Sequence, residues 1–391
     1  MGLSSVLKLK RIPLYILIAI NVAIILGLLL TGYTDRLNPV SWPLLCLGGY
    51  AFPFFLVAAL VMMAVWAFVR KRYILISVIG LLMAYQPVTL FCPVNPSGIG
   101  EPSNEVGEEG RMPLKVLSFN TCNWGMDYTS NDEEEKRAAI TEVMDYLAGE
   151  DADIICLQES TLTAQTDSMI KNRFGKCYQD TIYGLSSGSV AATIISRYPV
   201  VKKERIPIPS VGNGAGAFWV ALPDNSGSHR QRTVCIVNCH LETVAMSVAE
   251  KEQFSTIVHS LARGDAEHDT IRSESRFIIN KLSLATQKRA PQADMIAEFI
   301  ERQISQGYSV LVCGDFNDIP QSYTHRRIQG DHLKDCYREA GFGPGFSINR
   351  NAMKVRIDNI LCTPDIEPLS CHVDHAISLS DHYPIKATIL W

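Results

Sequence analysis

Six short polar motifs stand beside apolar runs, and together they hold the side chains that hydrolysis at phosphorus requires. FNTCNW places Asn120 at the end of one run and LQES places Glu159 at the end of the next. NCHLE supplies His240, GDFND supplies Asp315 and Asn317, and RIDNI followed by SDHYP supplies Asp358, Asp381 and His382. A phosphodiester anion repels an incoming nucleophile, so a site that cleaves it must neutralise charge, hold water in line and stabilise the leaving oxygen. Carboxylates and amides suit Mg²⁺, a hard cation that prefers oxygen and keeps part of its water. A single Asp at a strand end is as readily a turn residue. The order and setting of all six motifs carry the reading.

LQE, HL, GDFN and SDH after successive apolar strands resemble the endonuclease/exonuclease/phosphatase superfamily, which includes apurinic endonucleases, secreted deoxyribonucleases, bacterial sphingomyelinases and inositol polyphosphate phosphatases. The resemblance covers nearly all of residues 115 to 391, and GDFND with SDHYP is its most specific part. It implies a four-layer αββα sandwich, two packed β-sheets flanked by helices, with the site where strand ends converge. It also implies metal-dependent phosphoester hydrolysis with Mg²⁺, or Mn²⁺ in its place. Carried over by position, Glu159 is the metal ligand with Asn120 beside it, and Asp381 takes a metal- or water-binding place. Asp315 orients the attacking water with Asn317, which two residues on could point the same way along an extended segment. His382 clamps phosphate, Asp358 pairs with it, and His240 contacts phosphate or assists the leaving group. The nuclease branch often has an acidic residue two places after the first Asn; here that residue is Cys122, which puts a second carboxylate-anchored metal in doubt.

These residues need a scaffold. Apolar, β-rich runs recur at 115–120, 154–158, 190–196, 217–222, 233–241, 309–314, 356–362 and 385–390, as expected of strands covered on both faces. Asn131 with Glu134 caps a helix that carries Ile140, Val143, Met144 and Leu147 on one face. A second helix carries Ile296, Phe299, Ile300 and Ile304, with Arg289 and Gln292 read as preceding it and bracing the site. Glu242 and Asp318 read as supports or solvated neighbours, and Arg197 in ISRYP reads best as a structural ion pair. Residues 245–290 lack apolar periodicity and are too long for an ordinary connection; they read as an insertion or a partly helical excursion.

The first 94 residues are of another kind. Residues 12–34, 41–69 and 73–94 contain no charged side chain, and each is long enough to span a hydrocarbon core of about 30 Å. Three transmembrane helices are therefore expected in 1–94, a solvated linker at 95–111 and the catalytic domain at 112–391. Lys8, Lys10 and Arg11 precede the first span, and Arg70, Lys71 and Arg72 separate the second from the third. Since Lys and Arg resist translocation, the N-terminus should be cytoplasmic and the catalytic domain should lie outside.

Charge divides the same way. Residues 1–94 carry a net +6 and the remainder a net −10. An acidic domain has no obvious footprint for a long polyanion, so a lipid head group or small phosphoester is favoured over nucleic acid. Nine of eleven cysteines follow residue 94, and Cys156, Cys235 and Cys313 lie in strongly apolar runs. They read as small buried hydrophobes rather than a disulfide framework, and no spacing suggests zinc. A nuclease would need only the same centre, and a membrane-bound binding protein would need only the fold. Metal-dependent turnover separates these readings.

Overall fold

The structure, a computed structural model, describes residues 3–96, 111–129, 132–175, 177–183, 190–223, 232–244, 256, 268–349 and 354–391. The chain opens with α1 (Leu3–Gly32), whose part Pro13–Gly32 is a 20-residue apolar candidate span. After a 3₁₀ turn at Thr34–Arg36, α2 (Pro43–Cys46), a turn at Leu47–Ala51 and α3 (Phe52–Val69) continue as one apolar stretch of 27 residues. Then α4 (Ile74–Met83) and α5 (Tyr85–Phe91) meet at a bend of 69°.

Among the described residues, two helices are thus long and apolar enough to cross a bilayer, or three if the bent pair is one span. Of the three transmembrane helices expected, the third apolar stretch is a bent pair. Pro87 is the cause: it has no N–H to give the Met83 carbonyl, and that oxygen accepts the Tyr33 hydroxyl at 2.6 Å instead. Close packing joins the helices, with Gly27 against the Phe55 ring and Gly80 against Ile25. Buried Ser77 and Asn21 share a 3.2 Å hydrogen bond across them.

The remainder is built on twelve strands among the described residues: β1 (Pro113–Asn120), β2 (Ile154–Gln158), β3 (Tyr178–Tyr183), β4 (Val190–Ser196), β5 (Val200–Ile206), β6 (Gly214–Leu222), β7 (Arg232–His240), β8 (Ser309–Asp315), β9 (Lys334–Asp335), β10 (Asp358–Cys362), β11 (Glu367–Val373) and β12 (Ile385–Leu390). They form two six-stranded mixed sheets, in the orders β11-β12-β1-β2-β4-β3 and β5-β6-β7-β8-β10-β9. The pairs β1/β2 and β7/β8 are parallel.

Strand periodicity divides the apolar side chains between two faces. From β1, Leu114 and Val116 enter the core between the sheets with Ile154, Ile194, Phe218, Ile236, Leu311 and Ile360. Leu117 and Phe119 face outward, beneath α6 (Glu133–Gly149) and its Ile140, Val143, Met144 and Leu147. The N-cap of α6 is Asp132, which accepts from the Glu134 N–H at 3.0 Å; the cap expected at Asn131 falls on a residue outside those described. α7 (Ala164–Phe174) lies beside α6 on the same side, and its Ile170 joins that cluster.

On the other outer face, α8 (His268–Ser305) presses Ile296, Phe299 and Ile300 onto Trp219, Val237 and Val312. Helix α8 runs through Pro291, so Arg289 and Gln292 lie inside it, where the sequence reading put them before it. Residues 268–290 of the suspected insertion are this helix, and the rest of it, 245–267, lies outside the described residues apart from 256. Two short helices, α9 (Tyr323–Gln329) and α10 (Cys336–Ala340), complete the chain. All eleven cysteines are free, with Cys156, Cys235 and Cys313 fully buried.

A polar layer ties the sheets together near one end. Gln158 donates to Ser118 Oγ at 3.2 Å and to Asn238 Oδ1 at 2.7 Å, and Asn238 donates across the core to the carbonyls of Leu157 and Thr193. Buried amides must be satisfied, so these bonds fix how the ends of β1 and β2 face the end of β7.

The apolar N-terminal region touches this sandwich directly. Thr34 Oγ1 donates to the Gln321 carbonyl at 3.0 Å, Gln321 Nε2 to the Pro87 carbonyl at 3.1 Å, and Arg356 Nη2 to the Leu90 carbonyl at 2.7 Å. Val94 pairs with Phe342, and Asn95 Nδ2 donates to the carbonyls of Arg338 and Gly341. Most of the expected linker, 97–110, lies outside the described residues.

Candidate active site

Register brings the polar motifs together. Across one sheet His240, Asp315 and Asp358 lie in a single row, the ends of β7 and β8 and the start of β10. Across the other, Asn120 pairs with Gln158, and Glu159 follows at once. Glu159 sits at φ 49°, in the left-handed region that L residues visit at a cost. The turn after Asn120 clasps it: Asn123 N–H donates to the Glu159 carbonyl at 2.9 Å, and Trp124 Nε1 to the Thr161 carbonyl at 2.7 Å.

Asp315 is the hub. Asn120 Nδ2 donates to Asp315 Oδ2 at 3.1 Å and to Glu159 Oε1 at 3.0 Å, bridging the two sheets, while Asn120 Oδ1 accepts from the Cys122 N–H. His240 Nε2 lies 3.7 Å and His382 Nε2 lies 3.6 Å from Asp315 Oδ2. Asn317 donates to Asp315 through its backbone N–H at 2.7 Å and its side chain at 3.3 Å. It does so from φ 52°, so a tight turn rather than an extended segment brings it round. His382 Nδ1 is 2.9 Å from Asp358 Oδ2. Asp381 joins through Ser380, whose hydroxyl donates to the Asn120 carbonyl at 2.8 Å and lies 3.4 Å from Asp381 Oδ1. All eight residues singled out in the sequence therefore stand in one cluster.

Sequence reasoning missed Asn213. Its amide donates to the Leu241 carbonyl at 2.8 Å, which fixes the Nδ2 end, and the same nitrogen lies 2.9 Å from His240 Nε2. The signal was faint: a polar residue in GNGAG directly before β6, next to the register pair Gly214 and His240.

Behind the cluster, fully buried Arg289 reaches from α8 to Asp318 Oδ2 at 3.2 Å and to the Glu242 carbonyl at 3.0 Å. Gln292 accepts from the Glu242 N–H at 2.9 Å. Burial alone would raise the Glu242 carboxyl, but its hydrogen bonds to Lys288 and Ser210 bring it below the usual range. Arg197 pairs with Asp151 and Asp153, away from the cluster.

Burial, with the Asp358 charge beside it, pushes the Asp315 carboxyl above its ordinary range, and the two imidazoles offset part of this. Burial would depress His382, yet the facing Asp358 and Asp315 carboxylates outweigh it and hold the imidazole well above its ordinary value. The donor set fits a divalent cation. Four carboxylates outnumber two imidazoles, Glu159 is the more open of the carboxylates facing His240, and Asp358 Oδ1 is buried without a hydrogen-bond partner. Asp315, Asp358 and His382 each place a donor atom within 4.8 Å of the others, a set different from the Asn120, Glu159 and Asp381 expected from the sequence. His382 Nδ1 is engaged by Asp358, and Asn120 presents nitrogen to Glu159 Oε1.

Two packed mixed sheets with helices outside, and carboxylates, amides and imidazoles converging at their strand ends, define a hydrolase. Residues 117–382 match the Endonuclease/Exonuclease/phosphatase family, and the chain belongs to it. Residues 14–91 match a domain of unknown function (DUF8431). The chain is similar to the human Nocturnin catalytic domain with bound sulfate anion, at 18% identity and a TM-score of 0.49 over 71% of this chain and 95% of that one. An endonuclease/exonuclease/phosphatase family protein from Bacteroides thetaiotaomicron is similar at 16% identity and a TM-score of 0.48, over 72% and 96%. D. rerio TDP2 complexed with single-strand DNA product is similar at 16% identity and a TM-score of 0.46, over 71% and 98%. No curated protein matches the chain.

Proposed function

We propose that this chain is a membrane-anchored, Mg²⁺- or Mn²⁺-dependent phosphoesterase whose catalytic domain works on the non-cytoplasmic side, on the phosphodiester of a lipid head group or a small phosphoester. The observation that carries this reading is the position of Asp315, whose one carboxylate faces the Nε2 atoms of His240 and His382 while Asn120 and Asn317 hold it in place.

A carboxylate with a raised proton affinity, locked by two amides, can accept the proton of an attacking water and hold its lone pair in line. His382, kept cationic by Asp358, offers Nε2–H to the phosphate oxygens as charge builds on them. His240, oriented by Asn213, faces the same space from the other side and contacts the phosphate or the leaving oxygen. The water oxygen bonds to phosphorus and its proton passes to Asp315, the ester P–O bond breaks, and the departing alkoxide takes a proton from the His382 imidazolium. Glu159 would hold the divalent cation, with Asp381 close by, and a bound cation supplies charge neutralisation and a more acidic water. The polar contacts of Thr34 and Gln321, six residues beyond Asp315, keep this end of the sandwich against the apolar region. That supports a lipid-borne or membrane-proximal substrate.

The test is turnover by the full chain in detergent or nanodiscs, with a phosphodiester lipid, soluble phosphoesters and duplex DNA compared at fixed ionic strength. EDTA should abolish activity and Mg²⁺ restore it. Glu159→Gln, Asp315→Asn and His382→Ala should each lower kcat by roughly 10²–10³-fold with the fold retained. Undiminished turnover in all three sinks the catalytic reading. A preference for DNA with steep loss of binding in salt makes the enzyme a nuclease.

A further inference from the structure

A cavity of about 380 Å³ opens where the apolar N-terminal region meets the sandwich, and it shares no residue with the catalytic cluster. One wall is the turn after α1, with Asp35 and Arg36, joined by Gln86 and Leu90 of α5; the other is α9 and α10, with Arg326, Arg327 and Arg338. The volume lies within the roughly 300–1,000 Å³ of small-ligand sites.

Its charge is unbalanced. Four arginines face two aspartates, Asp35 and Asp331. Arg326 pairs with Asp35 at 3.5 Å, and Arg327 is taken by Asp294 at 3.0 Å and Glu301 at 2.9 Å. Among the described residues neither Arg36 nor Arg338 has a carboxylate within ion-pair distance; Arg36 instead lies over the Tyr33 ring at 4.5 Å. Two planar guanidiniums that line one cavity beyond ion-pair distance of any described carboxylate suit a tetrahedral oxyanion.

The surroundings say where that anion comes from. Arg36 is four residues past the end of the apolar segment Pro13–Gly32. On the same loop Val40 and Trp42 are more than half exposed, as are Leu44 and Leu45 of α2 just beyond it, and Tyr85 at the start of α5 is 63% exposed. Exposed apolar and aromatic side chains at the end of a span belong at head-group depth. A phosphate delivered there arrives on a lipid.

We infer that this cavity binds the phosphate head group of an anionic phospholipid, with Arg36 and Arg338 as its principal contacts. The bound lipid joins the two walls, and so holds the catalytic domain on the membrane region.

The experiment is thermal unfolding of the full chain in neutral detergent, titrated with phosphatidylglycerol, phosphatidylcholine, or inorganic phosphate and glycerol phosphate. Phosphatidylglycerol should raise Tm by a few degrees more than phosphatidylcholine at saturation, the order of effect expected of a ligand that binds only the folded state. Arg36→Gln with Arg338→Gln should remove that increment and leave turnover of a soluble phosphoester unchanged. Arg36 is exposed and within ion-pair distance of no carboxylate among the described residues, so Arg36→Gln alone should fold and show a smaller increment. Equal responses of the native chain to both lipids, or a full increment in the double variant, overturn the inference. Inorganic or glycerol phosphate matching phosphatidylglycerol at equal phosphate concentration, with loss in the variants, overturns the lipid source and makes this a site for soluble anions.

Discussion

His382 and Asp315 share one charge balance, and pH separates them. His382 has its folded pKa raised, so its pairing with Asp358 contributes stability fully below about pH 6.5, the ordinary imidazole value, and that contribution is lost as pH rises through the raised value. In EDTA, the Tm advantage of the native chain over His382→Asn should therefore shrink on the alkaline side; a gap constant with pH would mean that the pair acts by packing alone. Asp315 is also raised, but an acid so shifted is stabilising only while protonated, and its ionised form costs stability at neutral pH. Asp315→Asn should then melt higher than the native chain in metal-free neutral buffer while losing turnover, the usual opposition between stability and a functional site. For Asn213, Asn213→Ala should lower kcat/KM by roughly 10–100-fold, the usual cost of removing a group that orients a site imidazole; unchanged kinetics would show that His240 needs no such support. The eight residues were legible because each lies in a polar motif that borders an apolar run. Asn213 was not, since a polar residue beside glycines reads as a turn, and only the register of β6 against β7 carries it to His240.

At the level of elements, the eight strands expected from the sequence are the eight interior strands of the two sheets, and the four not expected are β3, β11, β5 and β9, the four edges. Edge strands are kept charged and short, which blunts pairing with other chains and also erases the apolar signature. In β5 the run Lys202, Lys203 and Glu204 is exposed. The interior rule has its own vulnerable point at Gly314. Its φ is 153°, and a Cβ there would fall 2.0 Å from the Cys239 carbonyl oxygen on β7. Gly314→Ala should destabilise by at least about 1–3 kcal/mol, as overpacking does, and should lower turnover by displacing Asp315; denaturant melts and kinetics report both. Helix α8 was seen only in its second half, because its first half lacks a clear apolar face. Its Arg289 holds Asp318, both fully or almost fully buried. Removing the cation alone leaves an unpaired buried carboxylate, so Arg289→Met should cost about 3–5 kcal/mol, and Arg289→Met with Asp318→Leu should recover much of it. Additive losses in that cycle would mean that the two residues do not interact.

For the whole molecule, the basic clusters at Lys8 to Arg11 and Arg70 to Arg72 predict that a reporter fused after Trp391 reads non-cytoplasmic; a cytoplasmic reading would reverse the orientation. The apolar stretches were visible as composition, but the bend at Pro87 was not, since it depends on Tyr33 lying near the freed Met83 carbonyl. The seam between the two regions was also illegible. Its bonds run largely to backbone carbonyls, and they join residues far apart in the chain: 287 positions separate Thr34 from Gln321, and 266 separate Leu90 from Arg356. That separation orders events during biosynthesis. At about 5–20 residues per second, the first half of the seam waits on the order of tens of seconds for the second to be made. On the proposed membrane reading, the apolar helices are inserted long before the sandwich can close on them, and docking is the last step. A nascent chain arrested before Arg356 should leave Thr34 and Asp35 open to solvent, whereas the finished chain should bury them; a cysteine-accessibility probe placed at Thr34 reports the difference.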